Sequence, residues 1–191
     1  MNGSEYKLVT DLIIDNQKFH SSSQETRTID GKTIYANNYE HSDIRNWLNS
    51  TFYDAAFTEK LKSYIDTTLV DNSLASTGES SNPYVCNDTN DKVYLLSVKD
   101  MENSEYGFDS TTIESTSRQK KITDYAKAIG CFMRPEDEYY NIGEYWLRTP
   151  STGNMGSMAG YVTYTGSHKM IDLVDYGYIG VAPAITVTIT K

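Results

Sequence analysis

The stretch from Tyr145 to Lys191 constrains the fold more than any other part of the chain. It reads YWLRTPSTGNMGSMAGYVTYTGSHKMIDLVDYGYIGVAPAITVTITK, with glycine at 153, 156, 160, 166, 177 and 180. Glycine punctuation at this density sets short strands between turns. From Val181 to Ile189, after a break at Pro183, β-branched residues alternate with threonine, which suits a pleated backbone. The segment is expected to fold as a rigid β platform with Trp146 and the Val181–Ile189 strand in one sheet. An irregular, tyrosine-bearing surface is expected on one side of it and two central helices behind it.

The rest of the chain supplies those helices and further strands. Tyr6 to Ile14 reads as a first strand with one wet face, and Asn16 to Gly31 as a loop. That loop closes on an Asp30-Gly31 tight turn before a strand over Lys32 to Tyr35. Ser42 is placed to cap a helix whose Ile44, Trp47 and Leu48 share an apolar face, with Trp47 as a core anchor. A second helix is expected over Ala55 to Ile65, with Thr58 as a candidate start. A strand follows at Thr67 to Asp71, then a polar loop from Asn72 to Asn82 and a strand over Lys92 to Val98. Asp100 to Tyr106 suits one or two helical turns. Thr116 to Ile129 reads as a helix, its Arg118-Gln119-Lys120-Lys121 cluster opening a solvated face and Gly130 ending it in the left-handed region. Phe132 to Ile142 is expected as an exposed connection.

Size and charge bound the function. The 191 residues are long enough for one domain with an ordinary core, and no linker or repeat divides them. Hydrophobic residues make up 38% and charged residues 23%, the composition of a soluble globular chain. A net charge of −9 excludes a nucleic-acid partner, whose affinity rests on clustered Lys and Arg. No apolar run reaches the roughly 20 residues that cross a bilayer, so membrane insertion by this segment is excluded. Met1 to Ser4 has no signal-peptide character, so the chain is expected to be a fragment or mature domain whose export, if any, is specified elsewhere. Tyrosine is in excess, 16 residues against 5 Phe and 2 Trp. That excess has two readings, a recognition surface or half-buried strand faces.

The residues offer little chemistry. Cys86 and Cys131 lack a second pair and a CxxC spacing, so two free thiols are expected, with one disulfide as the alternative. Asn87 to Asp91 is five oxygen-bearing residues without the spacing of a calcium loop, and is expected as a turn bonding its own backbone. His20, His41 and His168 stand in polar loops without a catalytic motif, and no GxSxG, GxGxxG or Walker spacing occurs. No catalytic residue, metal site or cofactor is expected, and the chain is read as a non-enzyme. Arg148 is expected to pair with an interior carboxylate and Pro150 to end its strand.

Five segments in order carry a family likeness: SDIRNWLNSTFYDAAFTEKLKSYI, NDTNDKVYLLSVKDM, RQKKITDYAKAIG, YWLRTPSTG and GVAPAI. The chain resembles the bacterial family called domain of unknown function six-two-seven-three over roughly residues 8 to 187. The family's closing Gly-Val-Arg-Pro-Ala carries Ala182 here in place of the arginine. An earlier strand common in the family has no counterpart. The closing pattern also resembles C-type-lectin-like folds, including their formylglycine-generating branch. That likeness implies a single α+β domain over 1–191, a mostly antiparallel twisted sheet with two to three helices and long loops. It also implies paired first and last strands and a ligand site in the late loops. The family resemblance places the chain in a secreted or surface-displayed bacterial protein, such as an adhesin.

The expected function is therefore non-catalytic recognition of a glycan or protein ligand through residues 151–178. The candidate contacts are Asn154, Tyr161, Tyr164, His168, Asp172, Asp175, Tyr176 and Tyr178, short polar or aromatic groups on glycine-hinged turns. Two alternatives fit the same composition: a variable ligand-binding protein of a diversity-generating retroelement, and a structural spacer between surface modules.

Overall fold

A computed structural model of the chain describes residues 4–110, 113–134, 137–153 and 156–189. The fold is mixed α+β and built from short elements. The first apolar run is three strands, β1 (Ser4–Val9), β2 (Leu12–Ile13) and β3 (Asp15–Asn16), because each piece joins a different sheet. A hairpin follows, β4 (Thr26–Ile29) and β5 (Lys32–Tyr35). Its loop residues Asp30 and Gly31 both take positive φ, 49° and 76°. That is the type I′ geometry whose twist matches the strands, and the Asp-Gly pair signalled it.

Helix α1 (Asp43–Trp47) starts where expected, with the Ser42 hydroxyl accepting the Arg45 N–H at 3.2 Å. It runs through a π-helical stretch, Leu48–Phe52, into α2 (Tyr53–Ala56). Ile44 and Leu48 are fully buried; Trp47 is half-buried, its ring 5.0 Å from Phe52. The backbone turns extended at Phe57, so the expected 55–65 helix is cut to α3 (Glu59–Lys62), capped by Thr58. Leu61 and Tyr64 consequently face solvent and only Ile65 of that face is buried with the core.

Strand β6 (Thr68–Val70), helix α4 (Leu74–Thr77) and strand β7 (Thr89–Asp91) come next, with β6 and β7 antiparallel. The Asn87–Asp91 run is therefore not a self-bonded turn. Asp88 accepts the Asn72 N–H at 2.9 Å, and buried Asp91 takes Arg45 Nη2 at 2.7 Å. The strand expected over 92–98 does not form: among the described residues the segment makes one bridge, Tyr94–Ala184, with bends at 92–93 and a turn from 98, and buries Val93, Tyr94, Leu95, Leu96 and Val98. The helical turns expected at 100–106 are two 3-10 turns, Asp100–Glu102 and Ser104–Tyr106.

The expected 116–129 helix is a 3-10 turn, strand β8 (Lys120–Ile122) and helix α5 (Asp124–Ala128). Lys120 and Ile122 point inward and Lys121 outward, a period of two, and β8 lies parallel to β2. Gly130 does end α5 in the left-handed region, at φ 109°. The basic cluster is not a solvated face: Arg118 is fully buried, donating to the carbonyls of Gly166, Met101, Asp109 and Ile113.

The remaining strands are β9 (Ile142–Gly143), β10 (Tyr145–Pro150), β11 (Met158–Val162), β12 (Met170–Leu173), β13 (Gly180–Val181) and β14 (Ala184–Ile189). The largest sheet has the order β12-β11-β10-β13-β3, and β1 pairs antiparallel with β14. First and last strands thus pair, as the resemblance implied. Instead of one antiparallel sheet, the described residues form five small ones, with β10–β13 and β2–β8 parallel. Trp146 and the whole Val181–Ile189 run do not share a sheet. Val181 stays in the sheet of β10, whereas Ala184–Ile189 leaves it for β1. The break falls at Pro183, which has no N–H for a ladder and whose carbonyl accepts the Thr10 N–H at 3.1 Å.

Strand β10 is buried at every position and separates two cores. Tyr145 and Leu147 enter one, with Ile13, Met101 and Ile122; Trp146 enters the other, with Phe19, Tyr39 and Ile179. Arg148 pairs Nη1 with Asp100 at 2.6 Å, the interior carboxylate that was expected, and donates to the carbonyls of Leu95 and Asp71.

Candidate functional site

Strands β11 and β12 bring the predicted contact residues to the open edge of the large sheet. Their register pairs Ala159 with Asp172 and Tyr161 with Met170, so Tyr161 and Asp172 share a face. Tyr161 packs its ring 6.4 Å from Trp146 and is only 9% exposed. Beside it, the Tyr178 hydroxyl donates to Asp172 Oδ2 at 2.9 Å.

From Tyr178 an aromatic row runs across the surface. Tyr176 lies 5.2 Å from Tyr178 on one side and Phe132 lies 6.3 Å from it on the other. The Arg134 guanidinium sits 5.7 Å from the Phe132 ring and 4.2 Å from that of Tyr164, which meets Tyr139 edge-on at 5.0 Å. Backbone bonds hold the row in place. Phe132 N–H donates to the Tyr178 carbonyl at 2.9 Å, and the Asn16 amide bridges the carbonyls of Gly177 and Ile129. Tyr176 and Tyr178 are each 36% exposed and Phe132 41%.

The electrostatics of this face come from two carboxylates at its edge. Burial raises the Glu144 carboxyl above its ordinary value, with Asp172 adding to the rise and Arg134 opposing it. Burial, then Glu144, Asp172 and Tyr164, push the Tyr161 phenol up to about 12. Burial and the bond to Asp172 raise Tyr178 as well. The phenols therefore stay protonated and serve as O–H donors. Flat rings, an arginine stacked between two of them and carboxylate acceptors can stack on an apolar ring face and hydrogen-bond its polar substituents.

The predicted contacts divide. Tyr164, Asp172, Tyr176 and Tyr178 come together on this face. Tyr161 is buried beneath its edge, which removes it as a surface contact. His168 is also corrected: it is 1% exposed, with Nδ1 3.1 Å from the Ile113 carbonyl and Nε2 3.3 Å from Glu102. Asp175 is occupied internally, its Oδ2 accepting both the N–H and the hydroxyl of Ser23. Asn154 lies outside the described residues. Sequence reasoning missed Phe132, Arg134, Tyr139 and Glu144, which sit in or beside the segment read as an exposed connection. The tyrosine excess, which extends ahead of residue 145, could have signalled Tyr139; nothing local marks Phe132, Arg134 or Glu144.

Both cysteines are free, Cys131 buried and Cys86 half-buried. Burial pushes the Cys86 thiol up to about 11 and the Cys131 thiol up to about 12. Among the described residues, no group of three or more His, Cys, Asp or Glu gathers as metal ligands. No helix among them is long and apolar enough to cross a membrane.

No curated protein and no solved structure matches the chain. The family described as Domain of unknown function (DUF6273) matches residues 4–189. With nearly its whole length matched, the chain belongs to that family.

Proposed function

We propose that the protein is a non-catalytic recognition module, C-type-lectin-like in kind, that binds a glycan or protein ligand at or outside the bacterial surface. The observation that carries the reading is the continuous row Tyr176–Tyr178–Phe132–Arg134–Tyr164–Tyr139 with Asp172 and Glu144 beside it. Partly exposed rings in contact with one another, next to fixed carboxylates, give large apolar contact at low side-chain entropy cost. The antiparallel pairing of first and last strands supports the lectin-like architecture, while the departure of Ala184–Ile189 from the sheet of Trp146 counts against it; the family resemblance supports the surface location. Binding shifts from the 151–178 loops alone to a face that also takes in residues 132–144.

The spacer reading draws on a separate observation, the internal bonding of His168 and Asp175. The retroelement reading requires variable positions that tolerate any side chain, which buried Tyr161 and His168 do not. Glycan-array and surface-protein binding by wild type, Tyr178→Ala and Phe132→Ala separates these readings. The recognition reading expects a wild-type signal that falls at least about tenfold in both variants, the scale of an interface hot spot. Equal signals from all three proteins, or none from any, favour the spacer.

A further inference from the structure

The β1–β14 ribbon has two faces. Leu8 and Ile185, directly paired, line one of them. Lys7, paired with Thr186, lies on the other face and lines a cleft of about 390 Å³ under the 3-10 turns at 100–106. That volume lies within the roughly 300–1,000 Å³ of small-molecule sites. The cleft is remote in the fold from the aromatic row, and shares no residue with it.

Its polar groups are arranged as a split pair of charges. At one end the Lys7 ammonium donates to the Tyr106 hydroxyl at 2.8 Å, and lies 5.3 Å from the centre of that ring. Lys7 makes no ion pair among the described residues, so two of its three N–H groups remain for a ligand. The Tyr106 hydroxyl, accepting from Lys7, keeps its own proton to donate.

The other end is Asp100. Its Oδ2 takes the Ser97 N–H, the Ser97 hydroxyl and Arg148 Nη1, at 2.8, 3.0 and 2.6 Å. Among the described residues, its Oδ1 takes no hydrogen bond. Arg148 is charge-paired with Asp100, and four of its five N–H groups are spent on that carboxylate and on the carbonyls of Leu95 and Asp71. Lys99 is charge-paired with Glu102 at 3.1 Å. Leu69, Val70 and Leu96 supply apolar wall between the two ends.

Lys7 and Asp100 thus line one cavity, Lys7 without an ion-pair partner among the described residues and Asp100 paired with Arg148 through Oδ2 alone. An anion gains only at Lys7, whereas a ligand that also carries an ammonium a few atoms away adds a charge-assisted hydrogen bond at the remaining carboxylate oxygen. We propose that this cleft binds a small zwitterion of the α-amino-acid class, its carboxylate on Lys7 and the Tyr106 hydroxyl and its ammonium on Asp100 Oδ1. The apolar wall favours an aliphatic or aromatic side chain.

The test is an amide NMR titration of the whole chain with L-leucine, L-phenylalanine and L-glutamate, set against N-acetyl-L-leucine and L-leucine amide. At least one of the two apolar amino acids is expected to give saturable shifts clustered at Leu69, Ser97 and Tyr106. Blocking either charge should weaken binding about tenfold or more, as should Lys7→Gln, whose site on a solvent-facing strand leaves the fold intact. Tyr106→Phe keeps the ring and should weaken binding severalfold, while Tyr178→Ala should bind as wild type does. Absence of saturable shifts at the cleft with every amino acid overturns the site. Blocked derivatives binding as tightly as free amino acids, or unchanged affinity in Lys7→Gln and Tyr106→Phe, overturns the zwitterion.

Discussion

Arg148 carries a full charge into the interior, and the fold accommodates it by surrounding the guanidinium with acceptors. Asp100 neutralises it at 2.6 Å, and the Leu95 and Asp71 carbonyls take three of the other four N–H groups. Removing one partner of such a pair strands the other charge and the carbonyls it satisfied. Arg148→Ala is expected to cost about 3–5 kcal/mol, measured by urea denaturation. A loss under about 1 kcal/mol would show that solvent, not Arg148, satisfies Asp100. The role of Arg148 was legible because a charged residue inside a run of strand residues demands an internal partner. The burial of Arg118 was not, because the carbonyls that receive it come from segments scattered between Met101 and Gly166.

At the scale of elements, caps were readable and lengths were not. Ser42, Thr58 and Thr123 each accept a backbone N–H at a helix start. Ser42 also donates to the Tyr39 carbonyl at 2.9 Å and is nearly inaccessible to water. Ser42→Ala is expected to destabilise the protein by about 1–2 kcal/mol, the upper part of the range for lost caps. A thermal melt unchanged from wild type would contradict that. The 116–129 segment shows the converse. Ile122, Tyr125, Ala126 and Ile129 match helical spacing, yet Ile122 belongs to a strand, while Tyr125 and Ile129 are exposed. Pairing with β2 and β9 wins over a local pattern that fits two periods.

For the whole molecule, the 3-10 turn at 100–102 joins distant parts of the chain through its acids. Burial alone would raise Glu102, but hydrogen bonds from Lys169, Lys99 and His168 hold it down to about 2, against an ordinary 4.5. Asp100 is likewise lowered: burial is outweighed by Arg148 and Ser97. Both carboxylates bind protons more readily unfolded than folded. Their contribution is complete above the ordinary carboxylate range and is lost as pH falls, for Glu102 between about 4.5 and about 2. Glu144 and Asp15, raised by burial, work in the opposite direction and soften the loss. The urea midpoint is expected to fall between pH 6 and pH 3, and to fall less steeply in Glu102→Gln. Equal slopes in the two proteins would remove Glu102 from the acid response.

Local chemistry, read from the sequence alone, determined the tight turn at Asp30-Gly31, the helix starts at Ser42 and Thr58, the left-handed stop at Gly130 and the strand through Trp146. Each depends on neighbours a few residues away, where backbone sterics and short hydrogen bonds decide the outcome. Tertiary structure decided which strands share a sheet, where the final strand breaks from Trp146 at Pro183, and which tyrosines are exposed. The ligand-face residues Phe132, Arg134 and Tyr139 join Tyr164 and Tyr178 only because the Tyr178 carbonyl holds the 132 segment. A side chain's exposure is set by whatever packs over it. Here that cover comes from segments dozens of residues away, whose approach no local pattern encodes.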